Sequence, residues 1–286
     1  MSWEESNRDL VERIRAYVLE FQNVKPTILT HFDGGADPVF PLKASSDRGI
    51  GLLLGFCSLY QNIGEGRLVR IMAYLWKQYD QDIFRLNRLP FADLQDRMKT
   101  LTDLDDWPLW NKTPGILRSV CDFFFRHGKI LAWVNAQGDG ERCVDILSEE
   151  IFLMGKTSAF RTKARYFIWL LTQLDGAEPE RFWTKETRMT LTMGHGRFVR
   201  EFGPLKSRKS APWTTPSEKL DYFNRFYRFL FPSASWKVFT AFDAYMRPQA
   251  GYRYGPGAPA PEWMCRKVMG GCIKCALAPE CPGRDF

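Results

Sequence analysis

Histidine is scarce in this chain, with three residues in 286, and cysteine is scarce until the very end: the first 264 residues hold three of the seven. No run of eighteen apolar residues occurs, which excludes a conventional membrane-spanning helix. The opening stretch "MSWEESNRDLVERIR" mixes acids and bases at helical spacing and has no basic segment followed by an apolar one, so a secretory signal is not expected. A cytoplasmic, reducing setting follows as the expectation, and there clustered thiols more often hold a metal than form disulfides. Alternating apolar and polar residues closed by hairpin turns are nearly missing, which argues against a sheet. Internal repeats and low-complexity tracts are also lacking.

What is present is helical periodicity. "DRGIGLLLGFCSLYQ" and "GRLVRIMAYLWKQY" are apolar stretches joined by residues 62–66, the pattern of two helices that bury their apolar faces together. "TPGILRSVCDFFFRHGKILAWV" places Thr113 as a helix cap with Pro114 at the first helical position. "SAFRTKARYFIWLLTQ" and "SEKLDYFNRFYRFLFP" predict further helices. In the second, Leu220, Phe223, Tyr227 and Leu230 share a face and Pro232 ends the helix. The fold class is therefore all-α. Residues 1–44 read as an N-terminal arm, 45–246 as a helical body, and 247–286 as a Pro/Gly connector with a cysteine loop. Residues 203–216 read as a second, basic loop. With 40 Lys+Arg against 33 Asp+Glu, the net charge of +7 and pI near 9.0 suit a polyanionic partner without specifying one.

The tail carries the sharpest signal. Cys265, Cys272, Cys275 and Cys281 follow the spacing C-x6-C-x2-C-x5-C. Four thiolates satisfy a 4Fe–4S cube, one per iron. Structural zinc accepts the same donors but favours two close pairs, and here only one pair is close. Paired disulfides fit an oxidising compartment better than a reducing one. Cys57, Cys121 and Cys143 lie within apolar helical stretches and read as buried, inert thiols.

This cysteine spacing, at the end of an all-α chain, resembles the endonuclease III and MutY branch of the helix-hairpin-helix DNA glycosylase superfamily. The resemblance implies a two-lobed helical fold in which the cluster is a brace rather than a catalyst. It would hold Arg266, Lys267 and Lys274 against DNA phosphates. It extends to "FCSLYQNIGEGR", where Gln61 and Asn62 stand at the position that fills the gap left by an extruded base.

Two family features are missing. The hairpin segment, "FLMGKTSAFRTKARYFIWLLTQ", has Gly155 but no G-x-G; Lys163 falls where bifunctional relatives carry a catalytic lysine. The segment "LTMGHGRFVREFG" puts Met193 at the position of the excision aspartate and His195 at the following histidine, and residues 187–200 contain neither Asp nor Glu. Cleavage of an N-glycosidic bond builds positive charge on the sugar, which a carboxylate stabilises and methionine does not. The combination resembles a divergent bacteriophage branch, the amino acid:DNA transferases of thymine hypermodification. The activity implied is replacement of the pyrophosphate of 5-pyrophosphoryloxymethyl-uracil in DNA by an amine.

Under that resemblance Lys156, Arg161 and Arg165, with Lys163, would surround the leaving pyrophosphate. Lys206, Arg208 and Lys209 are a second basic group, and a divalent cation would assist departure. His195, in a Gly-His-Gly context, is the expected general base. Tyr60, Tyr166 and Trp169 offer stacking faces for the base. The partners implied are double-stranded DNA with a modified base and a small amine, with no membrane, and a monomer is expected. The alternatives are a glycosylase with a displaced acid, for which Asp175 and Asp243 are available, and a non-catalytic DNA-binding relative.

Overall fold

The computed structural model describes residues 3–23, 25–35, 37–61, 63–78, 92–93, 96, 109–191, 193–205, 210–232, 235–246 and 277. Their regular structure is helical. The only extended pairing among them is a single bridge between Phe32 and Phe40. In chain order the helices are α1 (Trp3–Ser6), α2 (Arg8–Phe21), α3 (Asp47–Leu59), α4 (Glu65–Gln78), α5 (Thr113–His127), α6 (Ile130–Gln137), α7 (Gly140–Glu150), α8 (Thr162–Leu171), α9 (Pro179–Phe182), α10 (Met193–Glu201), α11 (Pro216–Leu230) and α12 (Ser235–Met246). None of these helices is long and apolar enough to cross a membrane.

The chain divides into two compact units: Met1–Lys25 with Arg188–Phe286, and Pro26–Thr187. These boundaries differ from the divisions at 44/45 and 246/247 read from the sequence. The physical reason is α2, whose Leu10, Val11, Ile14, Tyr17, Val18 and Phe21 form one buried stripe. That stripe packs on α12 and α11, more than 190 residues downstream in sequence, so residues 1–25 share a unit with the C-terminal helices.

In this discontinuous unit the core is aromatic. Phe198 stacks on Phe242 at 3.7 Å between ring centroids, and Tyr17 donates its hydroxyl to Ala241 O at 3.2 Å. Each fully buried phenylalanine contributes about 2–3 kcal/mol of transfer free energy. The face expected on α11 is borne out: Leu220, Phe223, Tyr227 and Leu230 are all buried, and the helix ends at Leu230 ahead of Pro232. Its start is a capping box, with Thr215 accepting from Glu218 N and Glu218 accepting from Thr215 N. Buried Asn224 clamps the irregular backbone at Met189 to α11. Its Oδ1 accepts from Met189 N at 2.7 Å and its Nδ2 donates to Met189 O at 3.2 Å.

In the unit Pro26–Thr187, α3 is the central helix: eleven of its thirteen residues are buried, and it packs against α4, α5 and α8. Such all-round burial explains why its sequence shows an apolar block rather than a stripe. Ser46 caps it by accepting from Gly49 N. The stretch read from 113 to 134 is two helices, because Gly128 adopts φ 67° and ends α5, the left-handed turn glycine tolerates. Thr113 is the first residue of α5 rather than its cap. A 3-10 turn, Trp110–Lys112, runs straight into the helix, and the Thr113 hydroxyl donates to Leu109 O at 2.9 Å. The helix read from Ser158 onward, α8, starts at Thr162, four residues later than the quoted stretch, after a turn described below. Cys57, Cys121 and Cys143 are buried, as the sequence predicts, and none is in a disulfide among the described residues. Burial pushes the Cys57 thiol well above its ordinary pKa and the Cys143 thiol up to about 12, so neither is a ready nucleophile.

Candidate functional site

The basic run 156–165 meets an acidic stripe. Glu141, Asp145 and Glu149 are spaced i, i+4 and i+8 along α7 and so share one face of the helix. Opposite them, Arg165 pairs with Glu141, Arg161 with Asp145, and Lys156 Nζ with Glu149 Oε2 at 2.5 Å. The Arg165 guanidinium is bidentate, with Nη2 at 2.8 Å from Glu141 Oε2, and its Nε donates to Phe160 O at 3.0 Å. Only 1% of the Arg165 side chain is exposed. The structure thus gives Arg165 to the packing of α8 on α7, where it is enclosed and unable to meet a departing pyrophosphate. Arg161 and Lys156 are also neutralised by carboxylates, so the three cations expected as a cradle form a charge zipper instead.

Lys163 escapes that zipper for a geometric reason. Arg161 and Arg165 lie one turn apart on the face toward α7; a residue midway between them lies roughly 200° around the helix. Lys163 therefore faces the end of α3. Its Nζ donates to Ser58 O at 2.7 Å and to Leu153 O at 3.1 Å. Of the four cations in 156–165, it alone has no carboxylate partner among the described residues. The last carbonyls of a helix lack intrahelical donors and carry partial negative charge, so an amine is welcome there. Burial draws the Lys163 pKa down from 10.5 to about 8, opposed by the neighbouring Cys57.

Two tyrosines stand near these residues in the chain, Tyr60 two positions past Ser58 and Tyr166 on α8. Tyr166, three residues after Lys163, lies on the same face of α8. Its ring stacks on Tyr60, just past the end of α3, at 6.0 Å and 18°. Tyr60 in turn stacks on buried Phe56 at 5.4 Å, and Tyr166 tilts against buried Trp169 at 5.2 Å. The inner pair, Phe56 and Trp169, is core; the outer pair, half-buried, bounds the site. Gln61 follows Tyr60 and is exposed.

The loop between α7 and α8 sets the amine's second acceptor. In place of a G-x-G hairpin the chain turns through Leu153 (φ 59°), Gly155 (φ 113°) and Arg161 (φ 43°). Gly155 is favoured by its positive φ, and a Cβ there would make a tight contact, 3.3 Å from Arg161 Cα. Leucine in the left-handed region costs about 1–2 kcal/mol, and that conformation turns its carbonyl toward Lys163. Met154 is buried, with Sδ accepting from Ser58 Oγ at 3.4 Å, and Phe152 N donates to Ser119 Oγ at 3.0 Å. At the loop's start Glu150 is held by Arg126 at 2.8 Å and by His127 Nε2 at 2.9 Å, which ties α7 to α5.

His195 is enclosed in a core. It lies on α10 in the other unit and has no exposed surface. Its ring meets Phe239 edge-on at 4.2 Å, and Tyr227 and Phe242 at 5.8 and 6.2 Å. The Gly-His-Gly context read as openness instead lets a helix bring the imidazole into an aromatic core, closed to any substrate in this structure. Asp175 is exposed on the turn after α8, and Asp243 is on α12. Asn62, Lys206, Arg208, Lys209, Arg266, Lys267, Lys274 and the cysteines 265, 272, 275 and 281 lie outside the described residues; among those described, no metal-binding cluster of His, Cys, Asp or Glu occurs. The zipper was readable from the spacing of Glu141, Asp145 and Glu149 against Arg161 and Arg165. The Tyr60–Tyr166 pair had no signal in the sequence that joined its two halves. Comparison with protein-family models, with curated proteins and with solved structures returns no match.

Proposed function

We propose that this chain is a base-flipping, DNA-modifying enzyme that replaces the pyrophosphate of 5-pyrophosphoryloxymethyl-uracil in DNA with a small amine. The observation that carries the reading is the Lys163 amine: carboxylate-free, partly neutral near pH 8, and on a helix face shared with Tyr166 of the stacked aromatic pair. The absence of any acid in 187–200 removes the residue that base excision would use and supports chemistry on the base instead of the sugar.

In this reading Lys163 takes over the general-base role expected of His195. A neutral amine offers two N–H donors and one lone pair. With both donors engaged by Ser58 O and Leu153 O, the lone pair points away from the protein carbonyls. It accepts the proton of the incoming ammonium; the freed nitrogen attacks the exocyclic methylene; the carbon–oxygen bond breaks and pyrophosphate leaves with the bonding pair. Tyr60 and Tyr166 orient the ring by stacking. The departing charge falls to cations beyond the zipper, for which Lys206, Arg208 and Lys209 remain the sequence candidates. A divalent cation, when bound, would supply further positive charge there.

Cys265, Cys272, Cys275 and Cys281 would hold a 4Fe–4S cluster, a structural brace rather than a catalyst, that presents Arg266, Lys267 and Lys274 to phosphates. Anaerobically purified protein is therefore expected to contain four irons per chain, with broad absorbance near about 400 nm. Colourless protein with stoichiometric zinc overturns that assignment.

A second reading, a glycosylase whose nucleophile is Lys163, is favoured by the same depressed pKa. One assay separates them. Duplex DNA containing 5-pyrophosphoryloxymethyl-uracil is incubated with the protein and a pool of amines, then digested to nucleosides for mass analysis. An aminomethyl adduct is the expected product. Abasic sites establish excision, and unmodified DNA that binds the protein establishes a non-catalytic relative.

A further inference from the structure

The turn from α7 to α8 is tied to α5 at two points. Ser119 and Arg126 lie two helical turns apart on one side of α5, with His127 next to the second. Arg126 and His127 hold Glu150 at the end of α7, at 2.8 and 2.9 Å, and Ser119 Oγ accepts from Phe152 N at 3.0 Å. The Ser119 proton is already given to Ile116 O, 2.7 Å away, so its oxygen faces the turn as an acceptor. Met154 closes the far side. Its N donates to Ile151 O at 3.1 Å, and its buried Sδ accepts from Ser58 Oγ.

Leu153 stands between these anchors at φ 59°, a backbone conformation unfavourable for a residue with a Cβ. Freed from them, it would relax toward ordinary backbone and swing its carbonyl off Lys163 Nζ, 3.1 Å away. Resting on the reading of Lys163 as the base, we propose that Ser119 is a positioning residue: by holding Phe152 N it keeps the Leu153 carbonyl on the Lys163 amine and keeps water from coming between them. Ser119 touches none of the reacting groups and acts through one backbone turn, with α5 as the splint.

The ionisable groups around the amine are otherwise accounted for. Cys57, beside Ser58 on α3, couples to it, and Tyr166 shares its face of α8. Arg161 and Arg165 are turned to Asp145 and Glu141, Lys156 to Glu149, and Arg126 and His127 to Glu150. Residues 151–155 carry no ionisable side chain. Loss of the Ser119 oxygen then has two opposed effects. A missing carbonyl acceptor lowers the amine's pKa, while readmitted water favours the charged form and raises it. Burial is the main cause of the depression to about 8, so the second effect is the larger and the amine moves back toward 10.5.

The test needs no DNA. Full-length protein is labelled with trace acetic anhydride over a pH series, and acetylation at Lys163 is followed by peptide mass, with the other lysines as internal reference. The wild-type profile is expected to reach half its plateau near pH 8. Ser119→Ala should move it up by about one unit, a roughly tenfold drop in labelling at neutral pH. Ser119→Thr, which keeps the hydroxyl, should restore it. Ser119→Cys, similar in shape but a poorer acceptor, should shift it in the alanine direction and serves if the alanine variant does not fold. A lowered urea midpoint with the profile still near pH 8 makes Ser119 structural only and overturns the proposal, as does a wild-type profile near 10.5. If the shift is seen but no DNA is modified, the enzyme reading fails while the placement of the amine by Ser119 stands.

Discussion

Lys163→Met should lower amine transfer by about 10²–10⁴-fold, the usual contribution of a positioned base, while duplex binding changes little. Lys163→Arg should be equally inactive, because it keeps the charge and never offers a lone pair near neutral pH. That pair of variants separates a base from a phosphate-binding cation. The pH profile provides a further check. With a pKa of about 8, roughly a tenth of the amine is neutral at pH 7, so the wild-type rate should climb about tenfold per pH unit and level off near pH 8. A profile that levels near pH 6.5, or activity surviving in Lys163→Met, would remove Lys163 from the chemistry.

The same shift fixes a stability slope. The folded amine titrates near 8 and an unfolded lysine near 10.5, so between those values the unfolded chain carries the extra proton. This group's contribution to stability consequently rises with pH across that window and is flat below it. Buried Cys57 and Tyr227, with raised pKa values, act in the opposite sense at alkaline pH. Tyr227 is common to both proteins, so the difference in urea midpoint between wild type and Lys163→Met reports the lysine together with its coupled neighbour Cys57.

The largest stability effect is expected at Arg165. Its guanidinium is enclosed and bidentate on Glu141, and removing one partner leaves a buried charge unpaired. Arg165→Met should cost about 3–5 kcal/mol in urea denaturation. Glu141→Leu should cost a comparable amount, since it strands the guanidinium. The double variant, apolar on both sides, should recover most of the loss, because the pair's attraction largely offsets its desolvation. Lys156 provides the contrast. Its pair with Glu149 is exposed on both sides and should contribute under about 1 kcal/mol, vanishing in high salt. Additive losses at Arg165 and Glu141 would show that the two act independently.

These outcomes bear on how much the sequence disclosed. Helices with a long apolar period were legible, and the buried face of α11 could be written residue by residue. Punctuation was less so: Gly128 splits one apolar run into two helices, and Thr113 sits inside a helix that its composition made it cap. Both depend on what the chain does next to them. Long-range pairing was the least visible. A basic run such as 156–165 looks the same whether it faces phosphate or a carboxylate stripe, and only the spacing of Glu141, Asp145 and Glu149 distinguishes the cases. His195 shows the same limit, because a glycine-flanked imidazole reads alike in a cleft and in a core. Lys163 was legible by position alone; its acceptors come from a helix end 105 residues away and from a strained turn.

The discontinuous unit has a consequence for synthesis. A ribosome releases α2 long before α12 exists, so Leu10, Ile14, Val18 and Phe21 must stay without their docking surface while the intervening segment is made. Pro26–Thr187 carries its own core and can close early. The sticky α2 then waits for α11 and α12 to emerge, which makes the nascent chain a natural client for holding chaperones and makes the appearance of α12 the step that shelters it.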